Sequence, residues 1–351
     1  MTLRIALTGL LLSLLAACSG DSPAPASEVS APEAVSAAAV TGPVVVYSSR
    51  QEHLIKPLFD RFTAETGIDV QFQTAEEGPL IARLQAEGEA TFADVLYTVD
   101  AGNLWLAADR GLLRPLQSAL LEQDIPAHLR DPQGRWFGLS VRARTLAYST
   151  ERVDPATLST YEDLADPKWQ GKLCLRTSKK VYNMSLVATL IARLGEAAAE
   201  NVVRGWVANL AAPVFSSDTL VIDAIAAGQC DVGIVNTYYL GQAQQLNPQI
   251  PVALFWANQQ SSGVHVNVSG AGITTHAKNP AGAQRLLEWL STAEPQLMFS
   301  ELNLEYPANT EVAPVALVQS WGTFTPDTIN VETAGRLQAD AVKLMDRADY
   351  R

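Results

Sequence analysis

Val44-Val45-Val46-Tyr47 is a short β-branched run and predicts the first strand of the folded part. Leu54, Ile55, Leu58, Phe59 and Phe62 then recur at helical spacing, and Gly67 is placed to end that helix. Ile68-Asp69-Val70-Gln71-Phe72 alternates apolar with polar and predicts a strand. Pro79 suits the first turn of a second helix, which carries Leu80, Ile81 and Leu84 and ends near Gly88. Ala93-Asp94-Val95-Leu96-Tyr97 reads as a strand, followed by a helix from about Gly102 to Arg110 that Gly111 stops. Strand, helix, strand, helix, strand is the order of a parallel α/β unit.

The rhythm changes near Trp136. Residues 137–148 read as extended, with Arg142 and Arg144 two apart and therefore on one face. Leu173-Cys174-Leu175 predicts a strand, 183–194 and 196–210 helices, and Asp218–Ala227 a short helix. Asp231–Val235 reads as a buried strand with a helix starting near Thr237. Val252–Phe255 and Gly272–Thr275 are further strands, 280–291 and 294–302 helices, and a last helix runs from about Glu332 to Arg347. Two α/β units result. Cys174 and Cys230 fall on candidate neighbouring strands of the second unit, and each is followed eight residues later by a tyrosine, Tyr182 and Tyr238.

The N-terminal pattern is different. Arg4 precedes an apolar run from Ile5 to Leu15 that is too short for a membrane span and has the shape of a secretory signal. The small residues before Cys18 resemble a bacterial lipoprotein signal, the alternative being an ordinary signal peptide with Cys18 incidental. Residues 1–17 are thus expected to be removed and Cys18 lipidated. Residues 18–42, rich in Ala, Pro, Ser and Glu, then form a tether that does not pack. Export leaves Cys174 and Cys230 as an even pair, which fits one disulfide or two buried thiols.

Composition narrows the function. The 351 residues carry a formal charge of −12 with only 25 Lys and Arg, which argues against nucleic-acid binding. No Gly-x-Ser-x-Gly elbow, P-loop, His-Glu-x-x-His or dinucleotide fingerprint is present, and the four His are scattered. An enzyme is therefore not expected. Tyr238-Tyr239 is the only adjacent pair among nine tyrosines. In a strand the two would point to opposite faces, whereas in the first turn of a helix both reach a cleft. By itself the pair is as well explained by one core ring and one surface ring.

Several motifs in order resemble the periplasmic ferric-ion-binding proteins of ABC transporters. They are Tyr47-Ser48-Ser49-Arg50, Ala93–Asp100, Trp136-Phe137-Gly138 with Arg142-Ala143-Arg144, Tyr182-Asn183 with Ser185-Leu186, Asn236-Thr237-Tyr238-Tyr239, His265–Gly270, Glu305-Tyr306-Pro307 and Trp321–Phe324. The resemblance covers about residues 43–350. It implies a type II periplasmic-binding-protein fold, two α/β lobes joined by crossing strands with the ligand in the cleft. Lobe 1 is expected over 43–140 plus 268–315, and lobe 2 over 141–267 plus 316–351. It also implies a Cys174–Cys230 disulfide and phenolate ligands from Tyr182, Tyr238 and Tyr239. Fe³⁺ is hard and prefers anionic oxygen, and three phenolates would cancel its charge, whereas Cu⁺ or Zn²⁺ would favour Cys or His.

The first loop departs from the family. Where many relatives have a Tyr ligand, this chain has Gln51-Glu52-His53. Glu52 and His53 are both candidate iron ligands; the alternative is a solvated helix start with Glu52 favouring the dipole. Arg142 and Arg144 are candidates for holding carbonate or another small anion, or for salt bridges. The resemblance implies a lipid-anchored, monomeric periplasmic carrier that passes Fe³⁺ to an inner-membrane ABC permease. The alternatives are a same-fold carrier of Fe²⁺ or of a small organic anion or polyamine.

Overall fold

The computed structural model describes residues 42–351. The expected signal (1–17), Cys18 and nearly all of the tether lie outside the described residues. Among the described residues no helix is long and apolar enough to cross a membrane.

The first α/β unit forms as its periodicity requires. Strand β1 (Val44–Ser48) pairs in parallel with β2 (Val70–Thr74) and β3 (Val95–Val99). Helix α1 (Glu52–Thr66) buries Ile55, Leu58, Phe59 and Phe62, and its end at left-handed Gly67 is the predicted one. Helices α2 (Glu77–Glu87), α3 (Ala101–Asp109) and the short α4 (Ala119–Asp124) follow. Asp100 caps α3 by accepting from the Gly102 N–H.

Strand β4 (Phe137–Ser149) is the long extended segment. The second unit holds β5 (Leu173–Cys174), α5 (Val181–Leu194), α6 (Glu196–Ala208), α7 (Asp218–Ala226), β6 (Val232–Asn236), α8 (Thr237–Leu246) and β7 (Val252–Phe255). The chain returns through β8 (Val266–Ile273) to α9 (Pro280–Ser291), α10 (Ala293–Asn303) and β9 (Tyr306–Pro307). It ends in α11 (Ala316–Gln319), α12 (Glu332–Arg336) and α13 (Gln338–Arg347). Sheet order is β2-β1-β3-β8-β4-β6-β5, with β7 and β9 also on β4.

Strand β4 belongs to both halves. Phe137 to Ala143 pair with β8, and Arg144 to Tyr148 pair with β6. One hydrophobic core draws on Val44 to Ala143 and on Val264 to Val331. Two further clusters draw on Leu146 to Ala257 and Ala334 to Tyr350. The molecule is thus two α/β lobes, and core membership puts Phe324 and Val331 with the first, downstream of the 315/316 division expected from sequence.

Three expectations need correction. Strand β8 starts at Val266, not near Gly272, because Asn267, Ser269, Gly270 and Gly272 break the apolar pattern. Those breaks serve packing: a Cβ at Gly270 would lie 2.3 Å from the Phe137 carbonyl oxygen, and one at Gly272 2.4 Å from that of Arg135. The C-terminal helix is split at Leu337, so that α12 packs on both α3 and α5 while α13 packs on α5. Gly335 permits the first contact, since a Cβ there would lie 2.5 Å from the Trp105 side chain. Finally, Cys230 lies in the turn before β6, not on a strand.

Cys174 and Cys230 are nonetheless bonded, with Cα atoms 5.9 Å apart and a sequence separation of 56. Both are buried. Removing the cross-link by Cys174→Ala with Cys230→Ala should lower stability by about 3–4 kcal/mol through loop-closure entropy. Chemical denaturation checks this; an unchanged midpoint would show that the bridge contributes nothing.

Candidate metal centre

Tyr182 is the second residue of α5, and Tyr238 and Tyr239 are the second and third of α8. The pair thus sits in a helical first turn, where both rings face the same side. Neither helix start is closed by a capping side chain, and the unpaired N–H groups favour negative charge nearby. The Tyr238 hydroxyl donates to the Tyr182 oxygen at 3.3 Å, and the rings of Tyr238 and Tyr239 are 4.3 Å apart. All three line one cleft with a volume of about 380 Å³.

Cations surround this wall. Lys180 Nζ, the Arg142 guanidinium and the Arg176 guanidinium lie 5.1, 5.2 and 5.5 Å from the Tyr182 ring centre. These distances are within cation–π reach. Arg176 also donates to the Tyr239 oxygen at 3.5 Å, and Asn236 Nδ2 donates to the Tyr238 oxygen at 3.3 Å. Burial raises Tyr238 well above the ordinary value of 10; Tyr182 and Tyr239 push the same way and Arg142 opposes them. Burial also raises Tyr239, with Tyr182 adding to it. Both are therefore neutral phenols at pH 7 until a cation supplies the field that ionises them.

The facing wall comes from the first lobe and includes Arg50, Gln51, His53, Asn303 and Glu305. Glu305 accepts from Arg50 at 3.0 and 3.1 Å and from Ser140 at 2.7 Å, all buried. The Asn303 amide has no hydrogen-bond partner. His53 lines the cleft; Glu52, its neighbour in the same helical turn, does not. Among the described residues no three His, Cys, Asp or Glu side chains converge on a point that would hold a metal. The oxygen donors grouped on the second-lobe wall are the three phenols, and the carboxylates Glu76, Glu77 and Glu305 line the cleft elsewhere.

The two arginines of β4 differ. Arg142 donates to Ser269 at 3.0 Å, lies 3.8 Å from Asp100, and keeps Nη2 without a hydrogen-bond partner beside the cleft. Arg144 is buried and its guanidinium is taken up by Asp218, Asn183, Asn236 and the Ile234 carbonyl. It does not line the cleft, so the expected anion role of Arg144 is withdrawn. His265 is also structural: burial lowers it to about 3, and its Nδ1 lies 3.2 Å from Thr189 Oγ1.

Sequence reading missed Arg176, Lys180, Asn303 and the acidic pair Glu76 and Glu77, all of which line the cleft. Lys180, two residues before Tyr182, was the one detectable from spacing. The others arrive from distant elements.

This is the architecture of a carrier that holds its ligand between lobes. The profile of the bacterial extracellular solute-binding proteins matches residues 57–326, and the chain belongs to that family. Iron uptake protein A1 of Synechocystis sp. is 39% identical over 312 residues, 87% of each chain. Iron uptake protein A2 of the same organism is 41% identical over 323 residues, 90% of this chain and 92% of that one. The structure of Trichodesmium IdiA (FutA) in complex with iron and citrate ligands is similar with a TM-score of 0.85 at 43% identity. That match covers 88% of this chain and all of the other. The fold is accordingly the two-lobe periplasmic solute-binding fold.

Glu305→Ala would leave Arg50 buried without its carboxylate and should destabilise the protein by about 3–5 kcal/mol. Denaturant titration measures it; a loss below 1 kcal/mol would mean that water or Ser269 replaces the pair.

Proposed function

We propose that this chain is the extracytoplasmic iron-binding component of an ABC transporter. It captures Fe³⁺ through the phenolates of Tyr182, Tyr238 and Tyr239 and delivers it to an inner-membrane permease. The observation that carries this reading is the convergence of three phenol oxygens on one wall of the interlobe cleft. Three phenolates neutralise a trivalent cation, which offsets the cost of holding it away from bulk water. The names of the relatives, two iron uptake proteins and an Fe(3+)-binding periplasmic protein of Serratia marcescens, support the same cargo.

His53, rather than Glu52, is the donor we assign to the first lobe, because only His53 lines the cleft. Closure of the lobes by a hinge motion brings it toward the tyrosines. Arg142 is the residue we assign to a small anion that completes the coordination. A polyamine cargo is disfavoured because the cations Arg50, Arg142, Arg176 and Lys180 outnumber the cleft carboxylates Glu76, Glu77 and Glu305. The protein works as a single chain, held by lipid at Cys18 on a membrane facing the periplasm, and it carries no catalytic activity.

Loading with Fe³⁺ should produce a visible phenolate-to-iron charge-transfer band that excess citrate removes. Tyr238→Phe should weaken binding at least tenfold. If the protein stays colourless with ferric iron and this variant binds as tightly as the parent, the assignment fails. Because Tyr238 and Tyr239 are neutral in the metal-free protein, loading should also release at least two protons per iron, so affinity rises with pH. Calorimetry in buffers of different ionisation enthalpy measures this, and the absence of proton release would exclude phenolate ligation. His53→Ala should weaken binding while leaving the colour; no change would remove His53 from the donor set.

A further inference from the structure

We propose that Arg144 is a positioning residue of the metal centre: it orients the amides beside Tyr182 and Tyr238, so that Asn236 presents a hydrogen-bond donor to the Tyr238 oxygen. The role rests on the iron-binding reading above.

Arg144 faces Asn236 in the β4–β6 register, at the point where β4 passes into the second lobe. Its Nε donates to Asn183 Oδ1 at 3.0 Å, and its Nη1 to Asn236 Oδ1 at 3.2 Å. Asn183 follows Tyr182 directly, and Asn236 precedes Tyr238 by two residues. A guanidinium only donates, so the oxygen of each amide must face it and each NH₂ must face away. The two NH₂ groups then have defined targets. Asn183 Nδ2 donates to the carbonyls of Arg176 and Thr177 at 3.0 and 2.9 Å, which fixes the loop leading into α5. Asn236 Nδ2 donates to the Tyr238 oxygen at 3.3 Å.

Asp218 holds the hub in place. This buried carboxylate accepts from Arg144 Nη1 at 2.9 Å and from the Asn236 backbone N–H at 3.1 Å. One planar cation therefore fixes two amides, one in the first turn of α5 and one at the end of β6, and one carboxylate fixes both the cation and the residue that precedes α8. A lysine carries a point charge without the fork and cannot hold both amides. The donor on Tyr238 acts when the oxygen becomes an anion. A neutral phenol can give its proton to a neighbour, whereas a phenolate bound to iron only accepts. A hydrogen bond to that phenolate stabilises its electrons and raises the charge-transfer energy.

The test compares the full chain with Asn236→Ala and Arg144→Lys, using citrate competition for Fe³⁺ affinity and the position of the charge-transfer band. Groups that orient metal ligands typically contribute about 10–100-fold to affinity. Each variant should lose affinity in that range and move the band to longer wavelength, and the double variant should be little worse than either single one. A band shift separates this role from simple loss of stability. If Arg144→Lys does not fold, Asn236→Ala decides alone. An Asn236→Ala protein that melts like the parent, binds iron equally well and keeps its band overturns the positioning role while leaving the iron reading intact. A parent protein that neither colours nor binds iron removes both.

Discussion

A buried phenol oxygen ionises only when something close by is more positive than water can make it. Tyr182, Tyr238 and Tyr239 share one cleft wall, and burial holds the latter two as neutral phenols. Without a cation they are three polar rings hydrogen-bonded among themselves and to Asn236 and Arg176. In the proposed role a highly charged, oxygen-loving ion would convert them into an anionic cage. Much of the second lobe frames this arrangement: β5 and β6 lie side by side, the Cys174–Cys230 bridge ties the end of β5 to the segment before β6, and the two tyrosine helices follow.

The first lobe contributes differently. Its cleft wall is built on a buried ion pair, Arg50 with Glu305, on the carboxylates Glu76 and Glu77, and on His53 and Asn303. The two walls meet along β4, where Arg142 pairs with Asn267 of β8 and Arg144 with Asn236 of β6. Two residues of one strand thus look into different lobes. Both are buried, but the first lines the cleft and the second lies in the hydrogen-bond network behind the tyrosines. Lobe closure about this strand would change the surroundings of Arg142 more than those of Arg144.

Much of this was legible from residue patterns. The β-branched run at Val44–Tyr47, the helical spacing of Leu54 to Phe62 and the alternation at Ile68–Phe72 each reflect a single local cause, so the first two elements formed where expected and the third, β2, two residues later at Val70–Thr74. The adjacency of Tyr238 and Tyr239, read with the strand before them, placed both rings in a helical first turn. Strand β8 was hidden because its glycines answer to the carbonyls of Phe137 and Arg135, which no local pattern reveals. Arg142 and Arg144 look alike in sequence. Only the partners that the fold brings from far away, Ser269 and Asp100 for one and Asp218 and two asparagines for the other, give them separate roles. Arg176 reaches the cleft through the same long-range packing.

The central claim is that iron is held by phenolates from one wall of the cleft. A crystal structure of the iron-loaded protein tests it most directly. The expected result is a single ferric ion bonded to the oxygens of Tyr182, Tyr238 and Tyr239. An ion held mainly by the 51–53 loop, or bonded to none of these three oxygens, would contradict it.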